Sequence, residues 1–433
     1  MSCLVRSRCT LFVLLVLGAS APFVKNAAGA EWPTFRGAER NAVSKETGLL
    51  QEWPEGGPTL LWETQGAGRG YSSLAISGGR IFTLGDGSSI ADDKDEYLLC
   101  FEQKNGKYLW KAKTGPAWTS GQANWQSSRS TPTVDGDLVY VISPRGQVVC
   151  CETASGQERW RKSLDKDFSG TKADGWGYSE SVLIDGPLLI CTPGGEKMTM
   201  VALDKTTGEL KWKTSREGDR GAGHSSIVIS EIGGAKVYVQ TTGSGPLGVR
   251  ASDGALLWTY AIPQTTAVIP TPIVRGDLAF FSIGYGKGGL LLKQVATQNG
   301  EVKVEEVYPL KNALANKHGG VVLVGDYVYG DSEDKGIPFC GELLTGIAKE
   351  NWKKRGTGKG SAAVAAADGR LYFQYADGTM VLVKADPEAF TEVGSFKIPG
   401  SGDRPSWSHP VIVDGKLYLR EQDKILCYDI RKS

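Results

Sequence analysis

Nine side chains suited to binding or activating a small molecule recur at one level of the chain: Tyr71, Arg129, Tyr178, Glu180, His224, Lys317, His318, Trp407 and His409. Each stands shortly before a short apolar run, in a stretch otherwise rich in serine and glycine. All 3 histidines of the protein are among them. Imidazoles with a neutral-range pKa suit acid–base work, and once protonated they bind anions. With Arg129 and Lys317 beside them, the mouth suits an anion, and a ligand of that charge is expected to be held more tightly below about pH 6.5. The aromatics Tyr71, Trp125, Trp176, Tyr178 and Trp407 suit stacking on a flat ring or a sugar. The same residues also suit a plainer task, which is to satisfy buried backbone groups around a narrow axis.

Other motifs carry less. Gly284-Tyr285-Gly286-Lys287-Gly288-Gly289 has the glycine content of a phosphate loop, but Leu290-Leu291-Leu292-Lys293 after it reads as a strand. Without a helix N-terminus there is nothing to hold the anion, so a wide β-turn is expected. Asp92-Asp93-Lys94-Asp95-Glu96 lacks the alternating ligands and the glycine of a calcium loop and reads as a solvated hairpin tip. No His-x-x-His, Cys-x-x-Cys or Gly-x-Ser-x-Gly element occurs, and no metal site is expected.

The elements that position these residues repeat. Turn dipeptides recur from Gly78-Gly79 and Asp135-Gly136 to Asp368-Gly369 and Asp414-Gly415, about 48 residues apart, between short alternating apolar runs. Such dipeptides are a strong hairpin signal. A glycine followed four residues later by tryptophan marks four of the units: Gly106 to Trp110, Gly156 to Trp160, Gly208 to Trp212 and Gly254 to Trp258. Gly346 to Trp352 is looser, and Val304 and Phe396 are the expected stand-ins where the tryptophan is lost. Eight four-stranded units imply an all-β fold, an eight-bladed β-propeller over residues 60–433. The last unit has only three strands, ending at Ile425–Asp429, and the missing strand with its Trp62 stands at Leu60–Thr64. Their pairing closes the ring and hides two sheet edges.

Composition agrees. There are 57 glycines and 12 tryptophans among 433 residues, without collagen periodicity. Lys+Arg 49 against Asp+Glu 48 excludes a nucleic-acid partner held by bulk charge. Residues 1–30 carry Arg6 and Arg8, an apolar run Leu11–Ala19 and the small-residue site Ala28-Gly29-Ala30, the three-part pattern of a secretory signal. Nine apolar residues are too few to span a membrane, and Cys9 lies before the run, so no lipoprotein box follows it. An exported soluble protein, periplasmic or extracellular, is expected. Residues 31–59, with Trp32, Trp53 and Pro54, are expected to lie along the propeller as a strap.

Ala202-Leu203-Asp204-Lys205-Thr206-Thr207-Gly208-Glu209-Leu210-Lys211-Trp212 resembles the tryptophan-docking motif of pyrroloquinoline-quinone (PQQ) type repeats, and the likeness recurs over residues 60–433. That superfamily includes quinoprotein alcohol dehydrogenases and the outer-membrane assembly protein BamB. The resemblance implies eight blades with Trp62, Trp110, Trp160, Trp212, Trp258 and Trp352 as docking residues. Some quinoprotein dehydrogenases carry a vicinal disulfide, which Cys150-Cys151 matches. However, Cys100, Cys150, Cys340 and Cys427 all share the repeat slot of Ala202, which makes them small buried strand residues. The fold hosts enzymes and binding modules alike. The expected function is a non-catalytic, BamB-like binding propeller that takes a protein or small-molecule ligand at its mouth, with no cofactor. Its alternative is a PQQ-dependent alcohol or polyvinyl alcohol-type dehydrogenase using PQQ with calcium. Against that alternative, these blades are lean and only Glu180, with Asp174 upstream, approaches a calcium-ligand pair. A carbohydrate-binding or lyase-like propeller is a third reading, resting on the rim aromatics.

Overall fold

The computed structural model describes Met1 and residues 31–87, 94–298 and 301–432. The expected secretory segment, Asp92 and Asp93 of the acidic cluster, and Gly300 lie outside the described residues. Eight antiparallel sheets form the ring, seven of four strands and one, blade 6, of three. This is an eight-bladed β-propeller. The first strands of successive blades touch one another and line the axis. Hairpins between first and second strands explain the repeated turn dipeptides. At Asp368–Gly369 and Asp414–Gly415 both central residues take positive φ, 48° and 72°, then 55° and 64°. A two-residue hairpin needs that backbone at both positions, and glycine with aspartate supplies it at least cost.

The ring closes through its ends. Thr59–Gln65 pairs antiparallel with Lys424–Asp429, and this last strand pairs in turn with Lys416–Glu421. Arg420, fully buried, fastens the same seam. Its guanidinium donates to the carbonyl oxygens of Ala67, Gly68 and Ser72, between the closing strand and blade 1, and of Leu84 in the second strand of blade 1.

Each docking tryptophan reaches forward to the next blade. Trp110 packs against Gly156 and donates its indole N–H to the Thr153 oxygen at 3.1 Å. Trp160 repeats this with Gly208 and Lys205, at 3.0 Å. Trp62 and Trp212 cover Gly106 and Gly254. A Cβ on these glycines would lie 2.5–2.8 Å from the indole ring, so the turn glycine is needed for close approach as well as for its positive φ. The outer strand bulges beside the tryptophan in blades 1 to 4 and 8, which twists an otherwise open edge. In blades 1, 2, 6 and 8 the indole also meets an aromatic of its own blade's second strand, as Trp110 meets Phe82 at 5.9 Å and Trp352 meets Tyr329 at 5.0 Å.

Of the two expected stand-ins, Val304 is corrected and Phe396 holds the docking position. In blade 5, Val304 pairs with Gln294, while Tyr308 takes the docking role. Tyr308 covers Gly346 and donates to the Leu343 oxygen at 3.0 Å, because extra residues in Val302–Lys311 shift the register. In blade 7, Phe396 pairs with Met380 and covers Gly57 beside the closing strand, where an added Cβ would lie 2.6 Å from its ring, while Trp53 joins the same blade with its ring 6.1 Å from Tyr372. Trp53 belongs to the N-terminal segment, and its N–H bonds Val393 at 3.0 Å. The cysteines Cys100, Cys150, Cys151, Cys340 and Cys427 are buried free thiols within strands. The acidic cluster is not wholly a solvated tip. Glu96 is buried and accepts from Ser128 at 2.7 Å and Thr114 at 3.2 Å.

Candidate functional site

Residues 32–44 cross one end of the axis and bond the first strands of blades on both sides. Trp32 exchanges two backbone bonds with Ile76, and Pro33 accepts from Val134. Arg40 donates to Ser181 at 2.6 Å and Val182 at 2.9 Å. Arg36 donates to Val321 at 2.5 Å, and Ala42 and Ser44 bond Ala366. Blades 1, 2, 3, 6 and 7 are thus tied to one short segment that floors the channel. Its backbone is strained: Arg36, Arg40 and Ala42 take φ of 67°, 54° and 60°, unusual for residues with a Cβ. Such strain persists only where many contacts over-determine it, and it concentrates at functional sites.

Above this floor lies a cavity of about 510 Å³. Phe35 and Arg36 form its base, and residues before the first strands form its wall. Of the nine residues expected at the mouth, Tyr71, Arg129, His224, Lys317, His318, Trp407 and His409 line it together. Tyr178 and Glu180 do not. The Tyr178 ring packs against Gly146 and its hydroxyl donates to the Pro193 oxygen at 3.0 Å. Glu180 is turned into the sheet, where the Thr192 N–H at 2.8 Å and the Gln240 amide at 3.1 Å converge on it. Burial pushes its carboxyl up to about 8, partly offset by those donors and by Arg40. Ser179 and Ser181, on either side of Glu180 in the chain, line the cavity, whereas Glu180 is turned to the blade.

The wall is aromatic and rich in donors. Trp125 meets Trp176 edge-on at 5.7 Å, Tyr71 lies 4.9 Å from Trp407, and His318 lies 4.4 Å from Trp407. Tyr71 is held by its bond to the Asn124 oxygen at 2.7 Å. Arg129 donates to the Trp125 oxygen. Lys317 is paired with Asp334 and lies over the Tyr285 ring at 5.1 Å. Four buried nitrogens of the cavity lining have no hydrogen-bond partner among the described residues: Arg36 Nη1, Arg129 Nη1, Trp407 Nε1 and His409 Nδ1. Burial lowers both guanidinium pKa values to about 10, which leaves them cations at neutral pH.

The histidines behave otherwise than expected. Burial, with the Arg36 cation second, depresses His409 to about 3. Burial likewise depresses His318 to about 4, against the pull of Asp334. Neither ring gains charge between pH 6.5 and 5, so the acid-strengthened anion binding expected from these two is corrected. Sequence reasoning missed Phe35, Arg36, Ser179 and Tyr285. Phe35 and Arg36 lie in the non-repeating segment, and Tyr285 sits in the glycine loop read as a mere turn. That loop is indeed a turn, but Tyr285, at φ 58°, projects to the cavity.

A family model described as outer membrane protein assembly factor BamB matches residues 94–348. The outer membrane protein assembly factor BamB of Burkholderia pseudomallei is 25% identical over 186 residues, 42% of this chain and 43% of that protein. This chain therefore spans less than half the length of the curated relatives of that name which it matches. Among solved structures, BamB from Moraxella catarrhalis superposes with a TM-score of 0.55 at 14% identity, over 87% of this chain and 98% of that one. A europium-containing methanol dehydrogenase superposes with a TM-score of 0.65 at 11% identity, over 90% and 89%. At such identities the structural likeness concerns the fold alone.

Proposed function

The chain belongs to the BamB family of PQQ-like repeat propellers, and on that premise we propose that it is a binding propeller whose floored channel takes a small anionic ligand with a flat apolar body. The observation that carries this reading is the pair of unpartnered cationic donors, Arg36 Nη1 and Arg129 Nη1, at a cavity walled by tryptophan and tyrosine. A buried donor left without a partner costs about 1–3 kcal/mol, and a carboxylate entering the cavity recovers that cost. Aromatic walls with a few convergent polar groups are the usual make-up of a small-molecule site. The name of its relatives supports a further role in holding a protein partner. The pattern of Arg6, Arg8 and Leu11–Ala19 supports export to the periplasm or beyond. Among the described residues no helix is long and apolar enough to cross a membrane.

A quinone held by calcium fits these residues poorly. Glu180 is engaged by Thr192 and Gln240 away from the cavity, Asp174 by His224, and Asp334 by Lys317. No group of three or more His, Cys, Asp or Glu among the described residues is arranged to hold a metal ion. Titration of the full chain with aromatic mono-, di- and tricarboxylates, followed by tryptophan fluorescence, tests the reading. Saturable quenching is expected, weakened at least tenfold by Arg129→Leu and absent for the neutral amides of the same acids. Equal response to acids and amides would overturn it.

A further inference from the structure

On the cavity wall between blades 3 and 4 a hydroxyl, an imidazole and a carboxylate stand in series. Ser179 Oγ lies 2.7 Å from His224 Nδ1, and His224 Nε2 lies 2.9 Å from Asp174 Oδ2. The carboxylate is itself held, because Trp176 donates its backbone N–H to Asp174 Oδ1 at 3.0 Å. The His224 and Asp174 side chains are only 7% and 6% exposed, so bulk water does not compete for these bonds. Ser179 and His224 both line the cavity, beside the apolar surface of Trp176, Ile269 and Pro270.

The order of the three groups decides the tautomer. A carboxylate at Nε2 holds the ring proton there and leaves the Nδ1 lone pair facing the serine hydroxyl. The two nitrogens are exchanged relative to the Ser-His-Asp template, in which the carboxylate faces Nδ1. The chemical requirement is the same, namely one nitrogen on the nucleophile and the other on the orienting acid. We propose that Ser179 is an activated nucleophile and that the cavity hydrolyses small carboxylic esters.

The step balances within the site. Ser179 Oγ forms a bond to the ester carbonyl carbon while His224 Nδ1 takes the hydroxyl proton. The carbon–alkoxy bond then breaks, and His224 returns that proton to the departing alcohol. Water, deprotonated by His224, attacks the acyl-serine, releases the carboxylic acid and restores the hydroxyl. Arg129, a cavity cation with Nη1 unpartnered, is the group available to face the oxyanion. Asp174 touches no substrate and is a positioning residue.

The proposal goes beyond the binding reading and shares with it only the cavity, so the first test uses a neutral probe. The full chain is incubated with an uncharged alkyl fluorophosphonate, and the intact mass and peptide map are read. The expected result is one adduct per chain, on Ser179, formed at least 100-fold more slowly in His224→Gln. With 4-nitrophenyl butyrate, Ser179→Ala abolishes the initial burst. Asp174→Asn slows acylation and displaces the pH–rate profile, which a merely structural carboxylate would leave in place. An unlabelled wild-type chain, or a label that persists in Ser179→Ala, overturns the proposal, because the serine and carboxylate then only satisfy a buried imidazole. Carboxylate binding without labelling leaves the binding reading standing, and labelling without carboxylate binding does the reverse.

Discussion

Trp62, in the first strand of the ring, lies directly opposite Cys427 in the last. This cross-strand pair repeats those of Trp110 with Cys100 and Trp160 with Cys150, which lie within single blades. The eighth blade is therefore an ordinary blade assembled from both ends of the propeller. Leu50 adds a backbone bond to Ile430, and Lys432 one to Gly48, so the final strand also holds the N-terminal segment.

Deleting residues 424–433 removes that strand and exposes the edges of Thr59–Gln65 and Lys416–Glu421. The expected outcome is aggregation on size-exclusion chromatography and loss of a single cooperative urea transition. A deletion variant that runs as a monomer with an unchanged midpoint would show that closure contributes little.

The docking tryptophans differ in burial, and their energetics follow. Trp352 is fully buried and donates to the Asp386 oxygen at 2.9 Å, whereas Trp212 is half-buried and its indole nitrogen has no partner among the described residues. Trp352→Ala is expected to cost about 3–5 kcal/mol, as for other large core truncations. Trp212→Ala is expected to cost about half as much. Urea titration of both variants checks the order, and equal losses would contradict it.

How much of this was legible follows from whether a contact is local. In four units the glycine and tryptophan stand four residues apart, and with the recurring turn dipeptides that spacing carried the blade count, the hairpins and the closing strand. Val304 was misread because a bulge breaks that spacing in blade 5, and the part of Trp53 in blade 7 was illegible because it comes from outside the repeat altogether. The floor of the cavity was illegible for a related reason. Arg36 and Arg40 meet Val321 and Val182 across long stretches of chain, and no periodicity announces such contacts. The level of the mouth residues was readable, since alternation along a strand is local, but the pairing of Ser179 with His224 crosses two blades.

The last prediction concerns Asp331, a fully buried carboxyl at the end of the second strand of blade 6. Burial pushes its pKa up to about 9, and an N–H of Ala362 offsets this only in part. In the unfolded chain the same group titrates near the ordinary carboxylate value, about 3.9. Between those two values the native state keeps a proton that the unfolded state has lost. Stability from this group is therefore fully present below about pH 4 and falls as pH rises towards 9. His318 and His409 act in the opposite sense, because their depressed values make the unfolded state the better proton binder below about pH 6.5. Above pH 6.5 their contribution is level, but burial also raises Glu96 and Glu180 to about 8, so Asp331 is isolated only by comparison with its own variant. Asp331→Asn keeps the shape and removes the titration. The expected result is a urea midpoint that falls less between pH 6.5 and 9 than that of the unaltered protein. Parallel curves for the two proteins would show that Asp331 is ionised in the native state.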